Sequence, residues 1–355
     1  MSSKSSFAIP LSRRELLALA AAAAVPGRAP AAGKQGPAAE SPAQSFVALT
    51  QGQDRRKNVT AALTAIDDQV RPRLKRKKYV LIKPNFVSVE RQLAATHADA
   101  IRGILDYLAP RFKGPIVIAE ASRQSTMQGY ETFLYSRLPG EFRSQKVQLI
   151  DLNEEAQFRP LQIVDPNLHF TPVRLAARLF DPDAFIIGSA MPKAHNYAVA
   201  TLSVKNMAMG APLHSSSKEA AAWQDKPKYH AGYRQMHLNL LLTAKALQPH
   251  WGAAVIDGFE GMENDGPVNG TPVDHKIAIA STDFIAADRV GIEAMAINPD
   301  WVGYLNYCAE AGLGCYDLSK IELRGDTPLD AVRKTYKLHS QIKQQLQWLG
   351  PLKPV

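Results

Sequence analysis

Two stretches of the chain concentrate side chains able to do chemistry. The first is Pro192-Lys193-Ala194-His195, followed by Thr201, Ser203-Val204-Lys205-Asn206-Met207 and Gly210-Ala211-Pro212. Lysines and a histidine within about a dozen residues can hold an anionic group or pass a proton as acid and base. His195 is expected to transfer the proton while Lys205 and Lys193 hold an anionic group, with Lys205 counted among the catalytic residues and Lys193 and Asn206 among the substrate contacts. A surface loop of solvated lysines is the plain alternative, but this segment follows an apolar, strand-like run rather than a polar helix. The second stretch runs from Asp257-Gly258 through Glu260, Gly261, Glu263, Asp265 and Gly266-Pro267 to Gly270. Carboxylates and glycines so interleaved suit oxygen ligation of a divalent cation, with Asp257, Glu263 and Asp265 as candidate ligands. They equally suit close backbone approach to a ligand at Gly266 and Gly270, or a plain acidic loop. The alternating ligand spacing of an EF-hand is absent.

Further polar residues sit at the ends of apolar runs. Lys83-Pro84-Asn85 closes one, Glu120-Ala121-Ser122 a second, Asp151 and Asn153 a third, and Ser189 to Lys193 another. In a parallel sheet such carboxyl ends share one edge, where ligands bind. Glu120 therefore joins the catalytic candidates, and Lys83 and Asn85 the substrate-binding ones. His230 and His237 share a face if both are helical, whereas a helix start at Tyr233 separates them. His97, His250 and His339 read as surface or cap residues. No G-x-S-x-G elbow, G-x-G-x-x-G turn or Walker loop occurs, which removes the serine-hydrolase and nucleotide-loop readings.

These residues need a scaffold, and the chain alternates short β-rich runs with helical patterns. The strand candidates are Tyr79–Phe86, Ile116–Ala121, Val147–Leu152, Ala184–Ser189, Ala253–Asp257 and Lys276–Ala280, with Ile321–Arg324 as an edge. Helices are expected over Val59–Leu74, His97–Leu108 capped by Thr96, Tyr233–Leu247, Phe284–Ala296 capped by Asp283, and Leu329–Leu349. This pattern predicts an α/β fold, a mainly parallel central sheet flanked by helices, with a long irregular insertion around 191–232.

The N-terminus reads as a leader. Ser12-Arg13-Arg14-Glu15-Leu16-Leu17 precedes an alanine-rich apolar run to Val25, then Ala29-Pro30-Ala31 as a cleavage candidate. Paired arginines before a mild apolar core are the signature of twin-arginine (Tat) export. At ten residues, Leu16–Val25 is too short to span a bilayer, which takes about 20. The expected organisation is a signal peptide over 1–31, a disordered linker over 32–45, and one α/β domain, or two lobes sharing a sheet, over 46–355. Removing 1–31 takes away four cations and one anion, and lowers the net charge from +9 to +6. The basic run Arg71–Lys78 then reads as a solvated helix end rather than a nucleic-acid patch. A periplasmic or extracellular location, passage through the Tat translocase and no stable transmembrane segment follow from this reading.

Two cysteines, Cys308 and Cys315, cannot supply the four thiolates of an iron–sulfur cluster, and their spacing leaves a disulfide open. Lys83-Pro84-Asn85, Ser189, Pro192-Lys193-x-His195, Thr201, Lys205-Asn206 and Gly210 together resemble the domain of unknown function 362 family. So do Asp257-Gly258, Gly266-Pro267, Gly270, Asp283 and Ala286-x-Asp288, over roughly residues 78 to 315. The resemblance implies an α/β domain with a site but no established reaction. Some of that family carry ferredoxin-type modules, whose cysteines are missing here. The run His195…Ser203-x-Lys205…Gly210-x-Pro212 is also faintly similar to a segment of nickel-pincer lactate racemases, without its glycine pair.

The expectation is an exported enzyme with a polar cleft at the strand ends. It acts on a small anionic molecule by acid–base chemistry, with a divalent metal as an open addition. A non-catalytic binding protein for an anion, and an accessory or maturation partner of an exported redox complex, are the rival readings.

Overall fold

The computed structural model describes residues 44–350; the expected leader and nearly all of the linker lie outside the described residues. Its centre is a ten-stranded sheet. The strands are β1 (Ser45–Gln51), β2 (Tyr79–Lys83), β3 (Ile116–Glu120), β4 (Val147–Asp151), β7 (Ala184–Ala190), β8 (Lys193–His195), β9 (Val199–Thr201), β10 (Trp251–Glu263), β11 (Thr271–Ser281) and β12 (Ile321–Arg324). Strands β5 (Phe158–Val164) and β6 (Phe170–Ala176) form a separate hairpin. The main path is β12-β1-β11-β10-β7-β2-β3-β4, along which β11 alone runs against the rest.

The helices are α1 (Arg55–Ala65), α2 (Asp67–Leu74), α3 (Ala98–Leu108), α4 (Thr126–Thr132), α5 (Ser203–Gly210), α6 (Tyr233–Leu247), α7 (Phe284–Ala294) and α8 (Gly303–Glu310). They cover both faces of the sheet, and the strands divide their side chains accordingly. Val80 and Ile82 of β2, Ile116 and Ile118 of β3, and Phe185 and Ile187 of β7 pack with α1 and α3. The alternate residues Leu81, Val117 and Ile186 pack into the opposite core with α5 to α8. Strands buried on both faces read as continuous apolar runs, which is why the sequence marks them clearly.

The α/β fold class and mainly parallel sheet match the expectation, and the structure adds corrections. β1 and the β5–β6 hairpin were not expected. The helix expected over Val59–Leu74 is two helices, because Ile66 leaves helical geometry at φ −115°, ψ 21°. Thr96 does not cap α3: His97 Nδ1 accepts from Asp99 N at 3.1 Å, and Thr96 is buried as a tie between β2 and β7. The segment around 191–232 is not wholly irregular, since it contains β8, β9 and α5.

The long C-terminal helix expected over Leu329–Leu349 is absent. That segment makes only short turns at Leu329–Val332, Ile342–Gln345 and Leu346–Leu349. Between them the backbone docks on the body, with Lys334 N and Tyr336 N donating to Ala294 O and Met295 O. Tertiary contacts override helix propensity there. Cys308 and Cys315 are both buried and unpaired. No helix of the described residues is long and apolar enough to cross a membrane.

Candidate functional site

From β2 the chain winds outward through β3 to β4, then returns to place β7 on the other side of β2 and β10 beyond it. The carboxyl ends of β2 and β7 therefore flank the point where the winding reverses, where open α/β sheets form their ligand crevice. Helix α5 lies below this crevice. Its first two N–H groups, Ser203 N and Val204 N, donate to the Asp288 carboxylate of α7 at 2.8 and 2.9 Å.

The floor is a network of buried polar side chains. Lys83, fully buried at the end of β2, donates from Nζ to Glu120 Oε2 at 2.9 Å, to Glu120 Oε1 at 3.2 Å, to Asn206 Oδ1 at 3.1 Å and to Pro84 O at 2.9 Å. Burial pulls the Lys83 pKa down, and Glu120 opposes that pull. Asn206 Nδ2 in turn donates to Ser189 O at 3.1 Å. Gly210 makes room for this lysine, since a β-carbon there would stand 2.0 Å from Lys83 Cε. Lys193 Nζ donates to Asn85 Oδ1 and, at 3.4 Å, to Ala94 O. Burial first, and the Lys205 charge second, push the Lys193 pKa down to about 7.

Above this floor is a cavity of about 440 Å³. Lys205, His195, Lys226, Arg123, His230 and Glu120 supply polar groups to its lining; Phe86, Val87 and Met209 supply apolar ones. Lys205 is buried, yet among the described residues no hydrogen bond or ion pair engages its amine. Desolvation, reinforced by the Lys226 charge, pushes its pKa down to about 7. His195 is fixed differently. Its Nδ1 accepts from Tyr197 N at 2.9 Å and Ala198 N at 3.2 Å, which leaves the proton of the neutral ring on Nε2. Burial, then the Lys205 charge, keeps the imidazole pKa well below its usual range, so the ring stays neutral and presents an N–H.

The roof is the hairpin loop between β10 and β11, residues 264–270, with His339 beside it. Gly266 presses against Ala194, whose carbonyl oxygen would be 2.0 Å from an added β-carbon. Arg91 holds the loop by donating to Val268 O and, at 2.6 Å, to Gly270 O. Asp265 accepts from Ser340 Oγ at 2.8 Å.

Of the residues expected from sequence, Asn85, Glu120, His195, Lys205, Asp265 and Gly266 line the cavity. Lys83, Lys193 and Asn206 support it from below, and Gly270 lies outside the lining. The expected metal set is not assembled. Asp257 faces Arg55, Oδ2 to Nε 3.3 Å, and burial raises its pKa to about 6 against that arginine's pull. Glu263 accepts from Lys337 N at 2.9 Å, and Asp265 is turned to Ser340. Among the described residues no group of three or more His, Cys, Asp or Glu side chains is placed to hold a metal ion.

Arg123, Lys226, His230 and His339 were not among the expected site residues. Arg123 lies three residues beyond Glu120, so the strand-end rule already pointed near it. Lys226 and His230 belong to the irregular polar stretch, whereas nothing in the sequence marks His339. A larger depression of about 610 Å³ beside Glu155, Arg178 and Asp181 lies near the amino end of β7, and its arginine is paired with Glu155.

The family model described as "Domain of unknown function (DUF362)" matches residues 80–293. A crystal structure of a Thermotoga maritima protein, solved by a structural genomics consortium, aligns with a TM-score of 0.39 at 10% identity. The alignment covers 74% of this chain and 59% of that one. A comparison with curated proteins finds no match.

Proposed function

The chain belongs to the domain of unknown function 362 family, and from that premise we propose that its cavity binds a small anionic molecule and transfers a proton on it. The observation that carries this reading is the Lys205 amine, buried in the cavity wall without a partner among the described residues. A group with a pKa of about 7 is present in both protonation states at neutral pH, as an acid–base catalyst must be. The lining favours an anion because Lys205, Lys226 and Arg123 are its basic groups, while Glu120 is neutralised by Lys83 and Asp265 is bonded to Ser340. In this reading Lys205 moves the proton and His195 Nε2–H holds an oxygen of the ligand. The sequence alone had divided these roles the other way.

The test is the rate of Lys205 acylation by acetic anhydride as a function of pH, with and without phosphate. The expected profile has its midpoint near pH 7 and is suppressed by phosphate. A midpoint in the range of an ordinary surface lysine, about 10.4, or indifference to small anions, overturns the reading.

The proposed setting is outside the cytoplasm, reached by twin-arginine export. The support is Arg13-Arg14 ahead of the alanine-rich run.

A further inference from the structure

Three lysines are buried around this site, and their surroundings differ in kind. Lys83 is locked to Glu120 and Asn206, and Lys193 to Asn85. Lys205 has no hydrogen-bonding or ionic partner among the described residues, yet it alone of the three lines the cavity. A lysine whose task was only to hold an anion would do so best fully charged. An enclosed amine without a counter-ion, near a second basic group, Lys226, instead favours the neutral, nucleophilic form. Its pKa of about 7 agrees with that geometry.

The same wall presents the partner that such a nucleophile needs. His195 Nε2–H is an uncharged donor, fixed by two backbone N–H groups on the far side of the ring. His195 and Lys205 line the same cavity, so both face one ligand. Burial pulls the Lys226 pKa to about 7 as well, but its amine is held by Met209 O at 2.8 Å, so it is not free to attack, and a bound carboxylate would restore its charge. With the exposed Arg123 it completes a basic rim.

We propose that Lys205 forms an imine with the carbonyl carbon of a small oxo acid, whose carboxylate is held by Lys226 and Arg123. The inference rests on the anion-binding reading above and names its substrate class. The neutral amine attacks the carbonyl carbon, forming the C–N bond as the C=O π pair moves to oxygen. His195 Nε2–H stabilises that oxygen. The amine proton passes to it, giving a carbinolamine. The C–O bond then breaks as the nitrogen lone pair closes the C=N bond, and the N–H proton of the resulting iminium passes to the departing hydroxide, which leaves as water. No oxidant or reductant enters.

The experiment treats the full-length protein with pyruvate or glyoxylate and then with cyanoborohydride, followed by peptide mapping. The expected product is one stable adduct on Lys205, heavier by the oxo acid less one oxygen, absent with acetone and suppressed by phosphate. Lys205→Met should lose the adduct. Thermal stabilisation by acetate and phosphate is measured in parallel, because it does not need the imine. Stabilisation by these anions without an adduct overturns the imine and leaves the anion site standing. Adducts spread over exposed lysines such as Lys57 and Lys218 overturn it as well. Neither adduct nor stabilisation overturns both readings.

Discussion

An unfolded lysine keeps its proton to about pH 10.5, whereas Lys205 in the fold gives it up at about 7. Below pH 7 both states are protonated, and the folded protein carries the whole desolvation penalty. Between 7 and 10.5 the unfolded chain binds more protons, so stability rises with pH, and above that window the penalty is gone. Lys205→Met should therefore raise the unfolding free energy measured in urea below pH 7 by on the order of a few kcal/mol, while removing proton transfer. That gain should shrink through the window, and a gain independent of pH would contradict it. Lys193 titrates in the same range and is itself repelled by Lys205, so part of the gain comes through it. Glu120 makes the opposite case. Glu120→Gln strands a buried ammonium and should cost about 3–5 kcal/mol, and adding Lys83→Met should recover most of it. Chemical denaturation of the single and double variants measures both. The sequence shows lysines and carboxylates at strand ends but not which of them neutralise one another. The pairing of Glu120 with Lys83 and that of Asp257 with Arg55 were therefore invisible in it.

At the level of elements, α5 places Lys205, and α7 holds the start of α5. Asp288→Ala removes both acceptors from Ser203 N and Val204 N, and should cost about 1–2 kcal/mol in thermal unfolding. It should also move the acylation midpoint of Lys205 upward, toward that of an exposed amine; an unmoved midpoint would mean that α5 is held by packing alone. The sheet strands were legible because apolar runs buried on both faces have no other use. The β5–β6 hairpin was not, since Arg159, Pro160, Pro172 and Arg174 interrupt it and much of it is exposed. The last segment carried a helical pattern whose apolar residues are used otherwise. Tyr336, for one, sits on β11 with its hydroxyl 3.0 Å from His275 Nδ1.

For the whole molecule, the export reading predicts that a reporter fused behind residues 1–45 leaves the cytoplasm, and that replacing Arg13 and Arg14 by lysine retains it inside. The two-core sheet was foreseeable in outline, but the closure of the cavity was not, because it joins stretches far apart in the chain. The roof loop 264–270 leans on Arg91 at one side. On the other, Asn264 N donates to Lys337 O and Asp265 accepts from Ser340, while Gln345 receives Val199 N at 2.7 Å. Contacts of such separation form late, after the loops they close have been ordered. The sheet can be complete while its crevice is still open, and the docking of residues 337–345 is what shuts it. Ligand capture thus reports that residues 337–345 have docked, and a transport route that accepts finished folds would carry a site already built.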